Sequence, residues 1–208
     1  MRKKVGVLVL RKQWVTFGVF LMVMMIVPHP ALAEEALQAI ETRVNKALEV
    51  LRAPSLKGES AKERKEKKIW SIVDGIFDYT ELSKRTLSFH WKTFTPEQQK
   101  EFTRLFGKLL GSIYMDKILS YTNEKVVFAK EVRLSENTTE VESEIVTQTR
   151  SIQVRYRLML KTGEWRVYDV IIEGVSLVQN YRSQFRAILK KETPEGLLKI
   201  LRKKVVKI

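Results

Sequence analysis

Hydrophobic residues follow two different periods along this chain. From about residue 35 to residue 120 they recur at the three-to-four-residue spacing of amphipathic helices. From Glu124 to about residue 173 they alternate with polar residues, as in strands with one buried face. The pattern predicts helices over about 35–52, after Lys62–Lys68 and from Pro96, and strands near 124–134, 139–150, 151–161 and 164–173.

The longest helical pattern begins at Pro96. Thr95 and Gln98 have the spacing of a capping box, and apolar residues then follow at helical positions over more than about twenty residues. Gly107 and Gly111 lie inside this helix, one turn apart. They either permit close packing or mark a bend, and the pattern leaves both possibilities open.

Other helix starts are predicted at Asp78, Ser176 and Pro194, because short polar caps and a first-turn proline are typical of helix N-termini. A tight hairpin loop is predicted at Lys161-Thr162-Gly163. Helices at both ends of the domain with alternating strands between them predict an α+β fold. In it, helices pack on one antiparallel sheet.

The first thirty-three residues have the order of a secretory signal. A basic stretch precedes an apolar run over 14–27, and the segment ends in Ala31-Leu32-Ala33, with the small residues of a cleavage site at 31 and 33. A membrane anchor is the alternative, but this run is shorter than the about twenty residues that a spanning helix needs. The chain has no cysteine that could carry a lipid anchor. We therefore predict cleavage after Ala33 and one exported domain over 34–208.

The predicted mature domain is basic. The whole chain has a formal net charge of +14, and removal of the five basic residues of the leader leaves +9. Such a surface suits nucleic acid, anionic lipid or acidic proteins, and export makes nucleic acid the poorest candidate. The last helix ends in a basic tail that is either solvated or a contact surface, formed by Arg202, Lys203, Lys204 and Lys207.

Few residues in the chain have the chemistry that enzymes use. His90 is the only histidine after the leader, cysteine is absent, and no phosphate-binding glycine loop occurs. Asp169 interrupts an apolar strand, where it either pairs with an arginine across the sheet or takes part in catalysis. We favour the structural pairing, and predict a protein that is not an enzyme and has no metal or cofactor.

Two segments resemble the MlaC family, the toluene-tolerance auxiliary component of a phospholipid-trafficking ABC transport system. The first runs from Phe77-Asp78-Tyr79 through Trp91 into 95–102, and the second covers 165–178 and continues as Asn180-Tyr181-Arg182-Ser183-Gln184-Phe185. Their order and spacing match the family over nearly all of residues 35–190. Ser88 departs from the pattern, because the family has a glycine there.

The resemblance implies an NTF2-like fold, with helices wrapped around a curved antiparallel sheet of four or more strands and an apolar cavity between them. It also implies a soluble periplasmic shuttle that carries phospholipid between outer- and inner-membrane complexes and so maintains outer-membrane lipid asymmetry. The implied partners are an inner-membrane complex of an MCE-domain protein with an ABC transporter, and an outer-membrane lipoprotein complex. We expect a monomer.

For such a carrier, a set of apolar residues is predicted to line the lipid-tail pocket, although each of them alone would also suit an ordinary core. The candidates are Phe77, Leu82, Trp91, Phe106, Leu110, Tyr114, Val154, Tyr156, Leu158, Val170, Ile172 and Tyr181. Lys84, Arg85 and Arg182 are predicted at the mouth, beside the head group. The alternatives are a carrier of another apolar lipid, such as a hopanoid, and an exported NTF2-like enzyme.

Overall fold

A computed structural model describes residues 31–56, 59–121 and 124–206, so the predicted leader lies almost entirely outside the described residues. The elements are α1 Ala31–Arg52, a 3-10 turn η1 Pro54–Leu56, α2 Glu59–Asp74, α3 Tyr79–Leu87, η2 Ser88–Thr93, α4 Pro96–Leu119, β1 Lys125–Ser135, β2 Thr138–Val146, β3 Ser151–Lys161, β4 Glu164–Ile172, β5 Val175–Ser176, α5 Leu177–Leu189 and α6 Pro194–Val206. None of the helices within these ranges is long and apolar enough to cross a bilayer.

The strands form one antiparallel sheet in which each strand pairs with its neighbour along the chain. The predicted α+β, NTF2-like architecture is confirmed. The prediction missed β5, a two-residue strand directly before α5. It also made the second strand too long, since the chain leaves the sheet after Val146, and Thr147 closes a turn by accepting and donating hydrogen bonds at Arg150.

Two of the strand connections are tight turns with left-handed backbone. Thr162 and Gly163, which join β3 to β4, have φ values of 51° and 83°. Glu173 and Gly174, which join β4 to β5, have φ values of 50° and 81°. Two consecutive residues with positive φ match the twist of neighbouring strands. The predicted hairpin at residues 161–163 is therefore confirmed.

Buried apolar side chains form two large clusters. The helical cluster joins α3, η2, α4, α5 and α6, and consists of Leu82, Leu87, Phe94, Phe102, Leu105, Phe106, Leu109, Leu110, Val178, Tyr181, Phe185, Leu197, Leu198 and Leu201. The sheet cluster joins α1 to one face of the sheet, and consists of Ala36, Ile40, Ile76, Val141, Ile152, Val154, Leu158, Trp165, Val167, Val170 and Leu177. A smaller cluster around Ile69 packs α2 against the ends of α1 and α4.

The link between α2 and α3 pairs with the outer edge of β4. Val167 donates its backbone N–H to the carbonyl of Ile76 at 2.8 Å and accepts from the N–H of Asp78 at 2.9 Å. Phe77, between them, forms a parallel bridge with Val167. This pairing covers backbone groups that an edge strand would otherwise leave open. It also fixes where the helices meet the sheet.

Asp78 stabilises this junction a second time. Its carboxylate caps α3 by accepting a hydrogen bond from the N–H of Glu81 at 2.9 Å, and it pairs with Lys161 at 2.7 Å. Burial acts to raise the pKa of Asp78, but the pairing with Lys161 and the backbone donors outweigh it and hold the pKa below its ordinary value. The charged form is therefore the one that the fold favours.

The glycines of α4 allow two aromatic rings to lie against the helix. A β-carbon at Gly111 would lie 1.5 Å from the Trp70 ring, and one at Gly107 would lie 3.3 Å from the Tyr79 ring. The predicted capping box at Thr95 and Gln98 starts the same helix. Of the two possibilities for the glycines, close packing is therefore the one observed.

Ser88, at the junction of α3 and η2, has φ 54° and ψ −127°. This conformation favours glycine, because a β-carbon is strained there. It explains physically why a glycine suits this position, where the sequence departs from the family pattern. The N–H of Ser88 donates to the carbonyl of Lys84 and so closes the end of α3.

We predict that Asp78→Asn lowers the free energy of unfolding by about 1 kcal/mol at neutral pH, because asparagine still caps the helix but no longer attracts Lys161. A carboxyl whose pKa is lower in the folded state than in the unfolded state stabilises the fold at pH values above the unfolded pKa. This stabilisation is lost as the pH falls through the folded pKa. The difference from wild type should therefore shrink below the ordinary pKa of 3.8.

Urea unfolding at a series of pH values measures this difference. Lys161→Gln and the double variant complete a double-mutant cycle, which isolates the pair itself. A loss of the same size after Asp78 has been protonated would show that the charge is not the cause.

We predict that Ser88→Gly raises the free energy of unfolding by about 1 kcal/mol. Relief of a strained backbone stabilises the folded state by about 1–3 kcal/mol. Glycine also increases the conformational entropy of the unfolded chain, which offsets part of this gain. Thermal unfolding measures the change. Ser120→Gly is the matched control, because Ser120 ends α4 with an ordinary φ of −74° and should not be stabilised by glycine.

Candidate functional site

All twelve predicted wall residues lie in or against the two large clusters. Leu82, Phe106, Leu110 and Tyr181 belong to the helical cluster, and Trp91 packs against it. The other members are on the sheet side, where Val154, Leu158 and Val170 are buried in the sheet cluster and Tyr156 and Ile172 pack against it. Phe77 and Tyr114 contact both clusters. The seam between the clusters, marked by Phe77 and Tyr114, is our candidate site.

The sheet side of the seam is one continuous apolar surface. Val154 faces Ile172 across the strand pair, and Tyr156 faces Val170. Because alternate residues of a strand point to the same face, these four side chains and Leu158 share one face of β3 and β4. Their polar neighbours on β3 point to the opposite face.

The helical side of the seam is more tightly filled. Phe106 lies with its ring centroid 5.0 Å from that of Tyr181 and 5.3 Å from that of Phe185, and Phe102 completes the group at 5.5 Å from Phe106. These are the distances of aromatic rings in direct edge-to-face or tilted contact. The rings therefore fill the helical side by contacting one another. This packing favours the sheet side as the place for a ligand.

Three tyrosines, Tyr114, Tyr156 and Tyr181, lie in or against the two clusters. Burial raises the pKa of Tyr156 to about 12, although a hydrogen bond with Ser143 acts in the opposite direction. Burial also raises the pKa of Tyr114 and of Tyr181. All three hydroxyls are therefore neutral at physiological pH, and they can donate a hydrogen bond without placing a charge in an apolar space.

Two of the three predicted head-group residues already have structural contacts. The Arg85 guanidinium donates to Glu81 at 2.8 Å and lies 4.0 Å above the Tyr168 ring. Arg182 donates twice to the carbonyl of Arg85, at 2.7 and 3.0 Å. Lys84 is exposed, and its ammonium group pairs with no acid among the described residues. Of the three, Lys84 has the greatest freedom to reach a phosphate.

Asp169 has a structural role, as we favoured from the sequence. It is buried, accepts hydrogen bonds from the Ser176 hydroxyl at 2.7 Å and the Val178 N–H at 3.0 Å, and lies 3.7 Å from the guanidinium of Arg157 on the neighbouring strand. The carboxylate thus holds the turn from β4 into α5. This role explains why an acidic residue occurs in an otherwise apolar strand.

An open groove of about 390 Å³ lies between α1 and the β3–β4 turn. Gln38, Arg43 and Arg166 contribute to its lining, and it contains none of the predicted wall residues. In the described ranges, no group of three or more histidine or acidic side chains is arranged to hold a metal ion. The groove therefore does not match the apolar site predicted from the sequence.

The contribution of α1 to the site was missed. Ala36 and Ile40 are buried against the sheet cluster, 0% and 2% exposed, where they cover the same sheet face as the predicted wall residues. The signal was present as the helical stripe of Leu37, Ile40 and Val44. The stripe does not show which surface the helix packs against. Only the fold brings α1 to this face of the sheet.

Comparison with known proteins gives consistent results. Over 196 residues, which are 90% of each chain, the sequence is 24% identical to the intermembrane phospholipid transport system binding protein MlaC of Haemophilus influenzae. It is 25% identical to the toluene tolerance protein ttg2D of Pseudomonas putida over 116 residues, 55% of this chain and 54% of that one.

The fold is similar to that of a solved phospholipid-binding protein from Ralstonia solanacearum in complex with a phospholipid. The TM-score is 0.73 at 23% sequence identity, and the match covers 83% of this chain and 98% of that one. The family model described as "MlaC protein" matches residues 41–203, which include α3, α4, the whole sheet and α5. The chain therefore belongs to the MlaC family.

Proposed function

We propose that the protein is a periplasmic carrier of phospholipid, which holds acyl chains in the seam between the sheet and α4. The observation that supports this most is the seam itself, where an apolar face of β3 and β4 meets a helical cluster and the tyrosines carry neutral hydroxyls. The names of the relatives from Haemophilus influenzae and Ralstonia solanacearum support the same cargo.

The energetics of transfer explain why a carrier needs this composition. Burial of each methylene contributes about 0.8 kcal/mol, so an acyl chain carried bare through water would cost on the order of 10 kcal/mol. An apolar seam replaces the lost bilayer contacts. Because charged groups are expensive in such a space, the neutral state of Tyr114, Tyr156 and Tyr181 matters as much as the apolar side chains.

The head group would remain at the surface. Lys84 is the best candidate to meet the phosphate, because its ammonium group is exposed, while Arg85 and Arg182 would add positive potential close by. The predicted signal peptide supports a periplasmic location. We propose that the carrier is a monomer without a cofactor. Its role would be to transfer phospholipid between an inner-membrane ABC transporter complex and an outer-membrane lipoprotein complex, and so to preserve outer-membrane lipid asymmetry.

The cargo is tested by native mass spectrometry of the purified protein, followed by delipidation and exposure to phospholipid vesicles. We expect a bound phospholipid in the first spectrum and its recovery in the last. Absence of lipid from both would contradict a carrier. A hopanoid in place of a phospholipid would keep the carrier but change its cargo.

The position of the acyl chains is tested by Val154→Trp. The larger ring fills the sheet side of the seam with the volume of about two to three methylenes, so lipid affinity should fall about tenfold or more. The matched control is Gln153→Trp, one residue away on the exposed face of the same strand, which should leave lipid content unchanged. Thermal unfolding of both variants establishes that they fold.

If Val154→Trp folds and keeps its lipid, the acyl chains do not lie against β3. If both variants lose lipid equally, the effect comes from the strand as a whole and not from the seam. Either result would overturn the location that we propose.

A further inference from the structure

The turn η2 presents an exposed aromatic side chain. Phe89 is 65% exposed, and in the part of the chain that the structure describes it is the only aromatic among the exposed large hydrophobic residues. A phenylalanine in water loses the free energy of about 1.5–3 kcal/mol that full burial would give it. His90 covers one side of the ring, with the two centroids 4.0 Å apart, and the rest of the ring faces solvent.

The exposed position of Phe89 is built into the backbone. Ser88, directly before it, adopts the strained conformation described above and is tied to Lys84. On the other side of the turn, Gln99 donates to the carbonyls of Trp91 and Phe94 at 2.9 and 3.2 Å. These contacts hold Trp91 against the helical cluster. Because the turn is fixed at both ends, the backbone holds Phe89 in its outward-facing position.

The segment that contains this side chain is basic. No acidic residue occurs between Glu81 and Glu97, while Lys84, Arg85 and Lys92 all lie in that stretch. Lys84 and Lys92 are both exposed. Because side chains three positions apart are eclipsed in a 3-10 helix, Phe89 and Lys92 lie on the same side of the turn.

We propose that η2 docks on the surface of a lipid bilayer that contains anionic lipid. Phe89 enters the boundary between head groups and acyl chains, while Lys84 and Lys92 contact the phosphates. One protruding aromatic ring in an exposed segment with long, flexible cations suits a fluid, anionic interface. A protein pocket specific for one ring would not need these cations.

The contact would also serve the proposed carrier. Trp91, from the same turn, packs on the helical cluster, so η2 joins the outer surface to that cluster. Lys84, the proposed head-group residue, lies in α3 directly before this turn. Docking would bring that side of the carrier to the bilayer during loading or release. This consequence rests on the proposed function, whereas the docking itself does not.

The test uses cosedimentation of the full mature protein with vesicles of phosphatidylglycerol mixed with phosphatidylcholine, and with vesicles of phosphatidylcholine alone. Wild type should bind the mixed vesicles and bind the neutral ones more weakly. Phe89→Ala should reduce binding to the mixed vesicles about fivefold to tenfold. Loss of both lysines, Lys84→Gln with Lys92→Gln, should reduce it about tenfold or more at low salt and have little further effect at high salt.

Val175→Ala is the matched control, since Val175 is 56% exposed but lies at the β4–β5 turn. It should bind the vesicles like wild type. If wild type does not bind the mixed vesicles at low salt, or if Phe89→Ala and Val175→Ala bind equally well, the proposal is wrong. Native mass spectrometry of Phe89→Ala separates this proposal from the carrier function, because we expect that variant to retain its bound lipid.

Discussion

Backbone pairing between the α2–α3 link and β4 is the constraint on which the rest of the site depends. The two hydrogen bonds at Val167 complete the edge of β4 and at the same time fix the start of α3 relative to the sheet. Asp78 adds a helix cap and an ion pair with Lys161 at this point. The start of α5 gives a second connection, because Leu177 belongs to the sheet cluster and Val178 to the helical cluster.

The junction has a direct consequence for the seam. Phe77 lies between the two hydrogen-bonded residues, so its ring contacts both clusters, and Tyr114 approaches the same place from the C-terminal half of α4. The clusters have different packing. Aromatic rings in mutual contact fill the helical one, whereas the sheet offers a broad apolar face formed mainly by aliphatic side chains. This difference is the reason that we propose the sheet side of the boundary for the acyl chains.

Charge is kept away from the seam and collected at the surface. Inside, burial keeps the tyrosine hydroxyls neutral, and on the outer face of the sheet the buried Glu140 is paired with Arg155 and Arg157 at 3.0 and 2.8 Å. Around η2, by contrast, Lys84 and Lys92 are exposed and form no ion pair with an acid among the described residues. An apolar interior and a basic exterior suit the phospholipid carrier that we propose.

The sequence by itself determined the elements, because helix caps and hydrophobic periodicity are local. Thr95, Asp78 and Ser176 cap helices where predicted, and the Thr162-Gly163 turn lies where its residues require it. The short strand β5 and the early end of β2 were missed, since sheet pairing and turn contacts decide them. The family resemblance supplied the candidate wall residues.

Only the tertiary structure decided how those residues share the interior. The helical stripe of α1 does not reveal which sheet face it covers, and nothing local distinguishes Trp91, which packs inward, from Phe89, two residues earlier, which faces solvent. Burial at both positions depends on contacts between segments far apart in the chain. Such contacts, like the backbone pairing at Val167, are non-local, and hydrophobic periodicity does not contain them.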